Sequence, residues 1–348
     1  MRFLKWLGFM LAATFLVLTF VNASWMADAP KGRAGLIAWG GGVHQEFTAD
    51  NSGSNECAPA EIAPPIHRYI ADTLPSIRMA RQLGAAMIAV DVQPTSDGQI
   101  VAFPDTTLDC RTDGSGKVRD HTLAELQQLD PGYRLTADKG KSFPFRGKQV
   151  EPIPTLEQVI AAAKPKPLVY VFHSDDPRDA DALAAALKEL GRDPVAEGDA
   201  FYAEKESGPV ARIRELYPQG WAFSAQGGAA CASAYKSLGW FGATPSVCTD
   251  RTLIMPLSGQ WAYAGWPNKL LARMKDAGSH VVMGTTSGGF GGLDLPEQLG
   301  SIPRDFNGYI RVDDIWTVAP ALFPDTDPRS NAERELADKA LARKRASQ

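Results

Sequence analysis

Four places in the chain carry residue types that could do chemistry: the Trp39-Gly40-Gly41 run, Asp91, the Pro104-Asp105 step, and His173. Each closes a short apolar run: "GLIAWG" (35–40), "AMIAVDV" (86–92), "IVAF" (100–103) and "LVYVFH" (168–173). In barrels of alternating strands and helices, reactive groups sit at the C-terminal strand ends. There His173 is a candidate acid or base, because imidazole titrates near neutrality. His44, in the Gly-rich loop after Trp39, is a second imidazole candidate or a solvated loop residue. Asp91 is a single carboxylate that could touch a cation or hydrogen-bond to neighbouring backbone. Asp105 could orient either histidine or cap the turn behind Pro104. Trp39, Gly40, Asp91 and Pro104, with Trp261 from "GQWAYAGWPNK", are candidate pocket residues. Aromatic rings there would floor a sugar or an apolar ligand, or simply pack a long loop. The "GTTSGGFGGLD" run (284–294) offers backbone N–H groups to a phosphate, with no Arg or Lys beside it. His67 and His121 lie in polar segments and read as surface groups, while His280 starts a strand and belongs at the other end.

The elements needed to position these groups follow from the pattern. Asp72 can cap a helix through "TLPSIRMARQLG", which Gly84 stops. "TSDG" turns the second strand back into "IVAF". A polar segment, about 104–150, follows with one short helix in "TLAELQQL". Helix and strand then alternate through "TLEQVIAAAK", "DADALAAALKELG", "DAFYAE", "GPVARIRELYP", "WAFSA", "ACASAYKSLG", "TLIMPL", "PNKLLARMKDAG", "HVVMG", "LPEQLGSI", "NGYIRVD" and "IWTVAPALF". About eight strand–helix units predict an α/β protein, a (β/α)8 TIM barrel over 30–325 with an insertion after the second strand. No Gly-x-Gly-x-x-Gly follows the first strand, which argues against a dinucleotide fold. The polar tail, 326–348, opens with a capping-box pattern from Ser330 to Glu333 and predicts a solvated helix or a frayed end.

The 348 residues carry a net charge of −4 and no basic stripe, which excludes a nucleic-acid binder. Arg2 and Lys5 precede an apolar run from Trp6 to Val21, and "VNA" offers small residues before Ser24. Residues 1–23 therefore predict an export signal or an uncleaved membrane anchor. Either places the remainder outside the cytoplasm, periplasmic or extracellular, with residues 6–21 as a tether if uncleaved. Export permits disulfides, and Cys57, Cys110, Cys231 and Cys248 allow three pairings. Proximity in sequence favours Cys231 with Cys248, which leaves Cys57 with Cys110.

The block "AAMIAVDVQPTSDGQIVAFPDTTLDCRTDGSGKV", with "HTLAELQQLD" and "PTLEQVI", resembles the glycerophosphodiester phosphodiesterase family. The resemblance covers about 35–325 and implies the same barrel. It implies phosphodiester hydrolysis by two histidines, with a divalent cation, Mg²⁺ or Ca²⁺, held by carboxylates. The family's His-Arg-Gly after the first strand appears here as Trp39, Gly40 and Gly41. Its Pro-Glu-Asn-Thr appears as Ile70 to Thr73, its Glu-x-Asp pair as Ala89 and Asp91, and its second histidine as Pro104. Its Glu-x-Lys falls on Val171 and His173.

Two imidazoles suit the proton transfers of that reaction, and a cation or arginine neutralises the phosphate. A lone Asp91 is a poor site for a hard cation. The sequence thus predicts an exported phosphodiesterase-like barrel of lipid or phosphodiester metabolism with impaired catalysis. Such a pseudoenzyme would bind a small phosphodiester or lipid head group, or serve as a scaffold. The alternative is an active phosphoric diester hydrolase with a rebuilt site of His44, His173, Asp91 and Asp105.

Overall fold

The computed structural model describes residues 2–47, 60–148, 152–285 and 290–346. The chain forms two compact units, one of Leu36–Phe223, Gly292–Pro296 and Arg311–Gln348, the other of Met1–Gly35, Ser224–Gly291 and Glu297–Ile310. The strands are β1 Gly35–Ala38, β2 Met87–Pro94, β3 Ile100–Ala102, β4 Leu168–Phe172, β5 Ala200–Ala203, β6 Trp221–Ser224, β7 Thr252–Pro256, β8 His280–Gly284 and β9 Tyr309–Val312. Eight follow the order β6-β5-β4-β2-β1-β9-β8-β7, and β3 folds back antiparallel onto β2. This is the (β/α)8 arrangement expected from the alternation, with the insertion entering after the β2–β3 hairpin.

In the larger unit β2 and β4 are buried along nearly their whole length, as strands covered on both faces must be. Their register pairs Asp91 with Val171, and Val171 in turn pairs with Tyr202 on β5. Because strand side chains alternate, Asp91, Val171 and Tyr202 lie in one layer on one face. His173, two residues beyond Val171, follows on that same face. The helix Leu156–Ala163 starts from a complete capping box of Thr155 and Gln158. The insertion packs into two small cores that it shares with neighbouring segments. One gathers Val101, Phe103, Leu108, Val118, Leu126 and Ile153; the other gathers Ala60, Ile62, Ile70, Leu135 and Phe145.

Two expectations need correction in this unit. Asp72 does not cap the helix Leu74–Gln82; Thr73 stands at the N-cap and makes no side-chain cap bond. The tail forms the expected largely solvated helix, Asn331–Ala346, which buries only Ala337 and Leu341 and whose Lys344 reaches Glu46, Asp294 and Asp314. His67 is no surface group. It lies against Tyr69 and Trp316 and hydrogen-bonds to Gln45. Burial first, then the charge of His44, lowers its pKa to about 3.

In the smaller unit β7 and β8 pair in parallel from Thr252–His280 to Pro256–Gly284. The helix over "ACASAYKSLG" starts earlier than its apolar pattern, at Ala225, where the Ser224 hydroxyl accepts from Gly227 N. The run Ala-Gln-Gly-Gly-Ala-Ala has too little apolar contrast to reveal that turn. Cys231 and Cys248 form the disulfide favoured by their spacing. Cys57, expected to pair with Cys110, lies outside the described residues, as does part of the 284–294 glycine run. The expected helix "LPEQLGSI" is a 3-10 helix, Pro296–Ser301. The N-terminal helix Arg2–Val21 is long and apolar enough to cross a membrane, and none of its residues is buried.

One buried ion pair ties β4 to the segment before β5. Asp199 accepts from Leu168 N, Tyr170 Oη and both Nε and Nη2 of Arg192. The Asp199 side chain has no solvent exposure. Removing one partner of such a pair strands the other charge in the interior and costs about 3–5 kcal/mol. Asp199→Ala is therefore expected to lower the melting temperature by roughly 10 °C, measured by scanning calorimetry. An unchanged melting curve would refute this role.

Candidate functional site

The site begins with a glycine. After β1 the chain passes through Gly40, Gly41 and Gly42, all at positive φ, where a side chain would be strained. At Gly41 a Cβ would lie 2.2 Å from the backbone N of Asp72. That close approach lets Asp72 N donate to Gly41 O while Gly41 N donates to Ala89 O. The Ser76 hydroxyl holds the same loop through Gly41 O and Val43 O, at 2.7 and 2.6 Å. Asp72, itself at φ +58°, is thereby delivered beside β2.

Asp72 Oδ1 accepts from Asp91 N at 3.0 Å. Its Oδ2 is buried and has no hydrogen-bond partner. Burial, then the negative charge of Asp91, raises the Asp72 pKa well above the ordinary carboxylate range. Asp91 Oδ1 accepts from His173 Nε2 at 2.7 Å. Burial opposes ionisation of Asp91, but the His173 charge and this hydrogen bond outweigh it and lower the pKa. The same contest at His173 runs the other way. Burial disfavours the imidazolium, the Asp91 carboxylate and then Asp105 favour it, and the pKa is raised. The two neighbouring acids are thus pushed in opposite directions, as like charges in close contact are.

Around this core the other candidate residues take different places. Gln93 Nε2 donates to Phe103 O and Asp105 O and so pins the backbone on either side of Pro104. Asp105 orients neither histidine. Its carboxylate is held by Arg111, whose Nε donates to Oδ2 at 2.6 Å. Trp39 is 8% exposed. Its ring meets Tyr202 edge-on at 4.8 Å between centroids, and the Arg311 guanidinium lies 4.1 Å from its centre. Arg311 is in turn paired with Asp313 at 2.8 Å, and Tyr202 Oη donates to Glu204 at 2.6 Å. The His44 ring lies across Gly40, with Nδ1 3.4 Å from Gly42 O. Trp261, in the other unit, is 83% exposed on a 3-10 turn.

The structure therefore brings Asp91 and His173 together and gives Asp105 to Arg111. Sequence reasoning missed Asp72 as a site residue. Its position in the Ile70–Thr73 match was the available signal, but a carboxylate before a helix reads first as a cap. It also missed Arg111 and Arg311, which replace no arginine of the expected pattern.

A divalent cation wants several oxygen ligands. Among the described residues no three His, Cys, Asp or Glu side chains gather in a set that could hold a metal. Position 89, where a carboxylate is expected, is an alanine, and Asp91 Oδ1 is engaged by His173. The donors present do not fit a bound cation.

Residues 66–194 match the Glycerophosphoryl diester phosphodiesterase family. A putative glycerophosphodiester phosphodiesterase of Bacillus subtilis is 34% identical over 147 residues, covering 42% of this chain and 56% of that protein. Mouse glycerophosphodiester phosphodiesterase 1 is 36% identical over 121 residues, covering 34% and 33%. The chain thus spans between a third and just over half of these relatives. Among solved structures, the glycerophosphoryl diester phosphodiesterase domain of an uncharacterized Mycobacterium tuberculosis protein matches with a TM-score of 0.54 at 18% identity, covering 84% of this chain and all of that one. A glycerophosphodiester phosphodiesterase from Agrobacterium tumefaciens matches with a TM-score of 0.51 at 18% identity, covering 83% and 99%. At such identity these structures support the barrel fold.

The orphaned Asp72 oxygen gives a pH-dependent expectation. A raised folded pKa means that the unfolded chain gains by ionising as pH climbs past 3.8 while the folded chain cannot. Asp72→Asn keeps the acceptor for Asp91 N and removes that penalty. The variant should melt higher than the parent at neutral pH, with the difference fading as pH falls toward 3.8. Melting curves across that range check it, and a constant difference at all pH values would contradict the assignment.

Proposed function

We propose, because this chain belongs to the glycerophosphoryl diester phosphodiesterase family through residues 66–194, that it is an exported barrel with impaired hydrolysis that binds a phosphodiester or phosphate-ester head group. The observation that carries this reading is Trp39. It closes the end of β1, where the family resemblance expects an imidazole, and an indole moves no proton. Packed between Tyr202 and Arg311, it also fills the space beside the layer of Asp91 and Val171. Pro104 removes the second imidazole in the same way.

What remains suits binding. His173 keeps a side chain 35% exposed beside Asp91, and its raised pKa favours the imidazolium. A half-exposed cation at a strand end is a partner for a phosphate oxygen. The apolar helix Arg2–Val21 acts as the export signal or membrane anchor in this reading.

A second reading has one observation in its favour. Nε2 of His173 bonded to a buried carboxylate is the base–orienter geometry of general catalysis, with Nδ1 left to accept a proton. It describes a hydrolase that works through His173 without a bound cation.

The experiment is an assay of the purified protein against a panel of glycerophosphodiesters, together with thermal-shift binding of sn-glycerol 3-phosphate. The leading reading expects stabilisation without turnover. Metal-dependent turnover abolished by a chelator would overturn it. Turnover indifferent to chelator, lost in His173→Ala and kept in His44→Ala, would establish the second reading instead. Binding should also weaken as pH rises through the folded His173 pKa, which lies above 6.5, and should fall at least several-fold between about pH 6 and about pH 9. Titration at the two pH values checks this, and equal affinity would remove His173 from the ligand.

A further inference from the structure

The residues that follow the apolar helix are built into the domain. Asn22 is 5% exposed and Ala23 6%. The Asn22 side chain donates from Nδ2 to Leu18 O at 2.8 Å, inside the helix, and to Trp240 O at 2.7 Å. Its Oδ1 accepts from Arg273 Nη2 at 2.8 Å. Lys269 Nζ donates to Val21 O, the last carbonyl of the helix, and Asn268 N donates to Ser24 Oγ at 3.0 Å. Arg273 is fixed in turn by donating from Nη1 to Tyr235 Oη and Gly239 O, each at 3.1 Å. A flexible linker would leave the last carbonyls of the helix to water. Here Val21 O is taken by Lys269, Leu18 O by Asn22 and Phe20 O by Ala23 N, and Asn22 is itself held by Trp240 and Arg273, which ties the end of the helix to this unit.

Large apolar side chains surround that exit and face solvent. Trp25 is 79% exposed, Met26 50%, Leu238 48%, Phe241 73% and Trp261 83%. The hydrogen bonds place them together. Trp25 and Met26 lie three and four residues past Asn22, Leu238 and Phe241 lie on either side of the Trp240 whose carbonyl accepts from Asn22 Nδ2, and Trp240 Nε1 donates to Ala262 O beside Trp261. Single exposed apolar residues need no explanation. Three exposed aromatics ringing the base of one exposed apolar helix do, because tryptophan and its like concentrate where a membrane meets water.

We infer that residues 22–26, 238–241 and 260–262 form a membrane-interface collar: the helix Arg2–Val21 stays attached and spans the bilayer, and Trp25, Phe241 and Trp261 lie in the head-group region around its exit. At 1.5 Å per residue a 20-residue helix is about 30 Å long, the thickness of a bilayer core. The Asn22 socket then fixes the domain's orientation on the lipid surface. This inference rests on the anchor reading of the helix, and the test separates the two.

Full-length protein is reconstituted into vesicles of phosphatidylcholine with a minor share of phosphatidylglycerol. Variants with one added cysteine, Trp25→Cys, Phe241→Cys and Trp261→Cys, carry an environment-sensitive fluorophore, with Asp276→Cys as reference, exposed in the same unit at the far end of the helix Asn268–Asp276 whose first residues hold the socket. The collar expects flotation with the vesicles, an intact N-terminus, and blue-shifted emission at 25, 241 and 261 that brominated lipid quenches, with both effects weaker at 276. Flotation with all four labels equally water-exposed overturns the collar and leaves the anchor. Absence of flotation, or a mature N-terminus at Ser24, overturns both.

Discussion

A carboxylate buried at the end of a barrel strand must be compensated by its neighbours, and Asp91 imposes that demand on everything around it. Its backbone N is taken by Asp72, its backbone O by Phe103 N, and its Oδ1 by His173. To bring Asp72 into reach the loop after β1 must run through glycines at positive φ, because any Cβ at Gly41 would collide with the Asp72 backbone. To bring His173 into reach β4 must run parallel to β2 in the register that sets Val171 beside Asp91. The Phe103 bond closes the β2–β3 hairpin and presents Pro104. One residue thus ties three loops, two through its backbone and one through its carboxylate.

The charges of the site are largely matched within the protein. Asp105 answers Arg111, Asp313 answers Arg311, and Asp91 answers His173. A metal-dependent phosphodiesterase needs the opposite, a cluster of unmatched carboxylates awaiting a cation. The indole of Trp39 is held by an aromatic edge and a guanidinium face, both favourable for an electron-rich ring. The ends of these strands are thus packed, and their charges are paired within the protein.

Legibility in the sequence varied with the range of the interaction involved. The strands appeared wherever an apolar run was bounded by turn residues, and the capping box at Ser330 was a local pattern that the structure forms. The disulfide between Cys231 and Cys248 followed from proximity. Elements failed to show where contrast was low, as at the first turn of the helix from Ala225, or where the local reading was ambiguous, as at Asp72. His67 read as a surface group, yet Pro64, Pro65 and Ile66 precede it and its neighbours in space are Tyr69, Trp316 and Gln45.

The sequence by itself determined the barrel class, the residue types at each strand end, and that Trp39 and Pro104 stand where the resemblance expects imidazoles. Those depend on hydrophobic periodicity and on identity at a matched position, which are local. Only the tertiary structure decided who answers whom: that Asp91 takes His173, that Asp105 goes to Arg111, and that Asp72 turns inward to Asp91 N. Those outcomes depend on strand register and on the competition among buried charges, where partners lie 19 and 82 residues apart in the chain. No spacing rule spans such distances, because closing the barrel is what makes these groups neighbours.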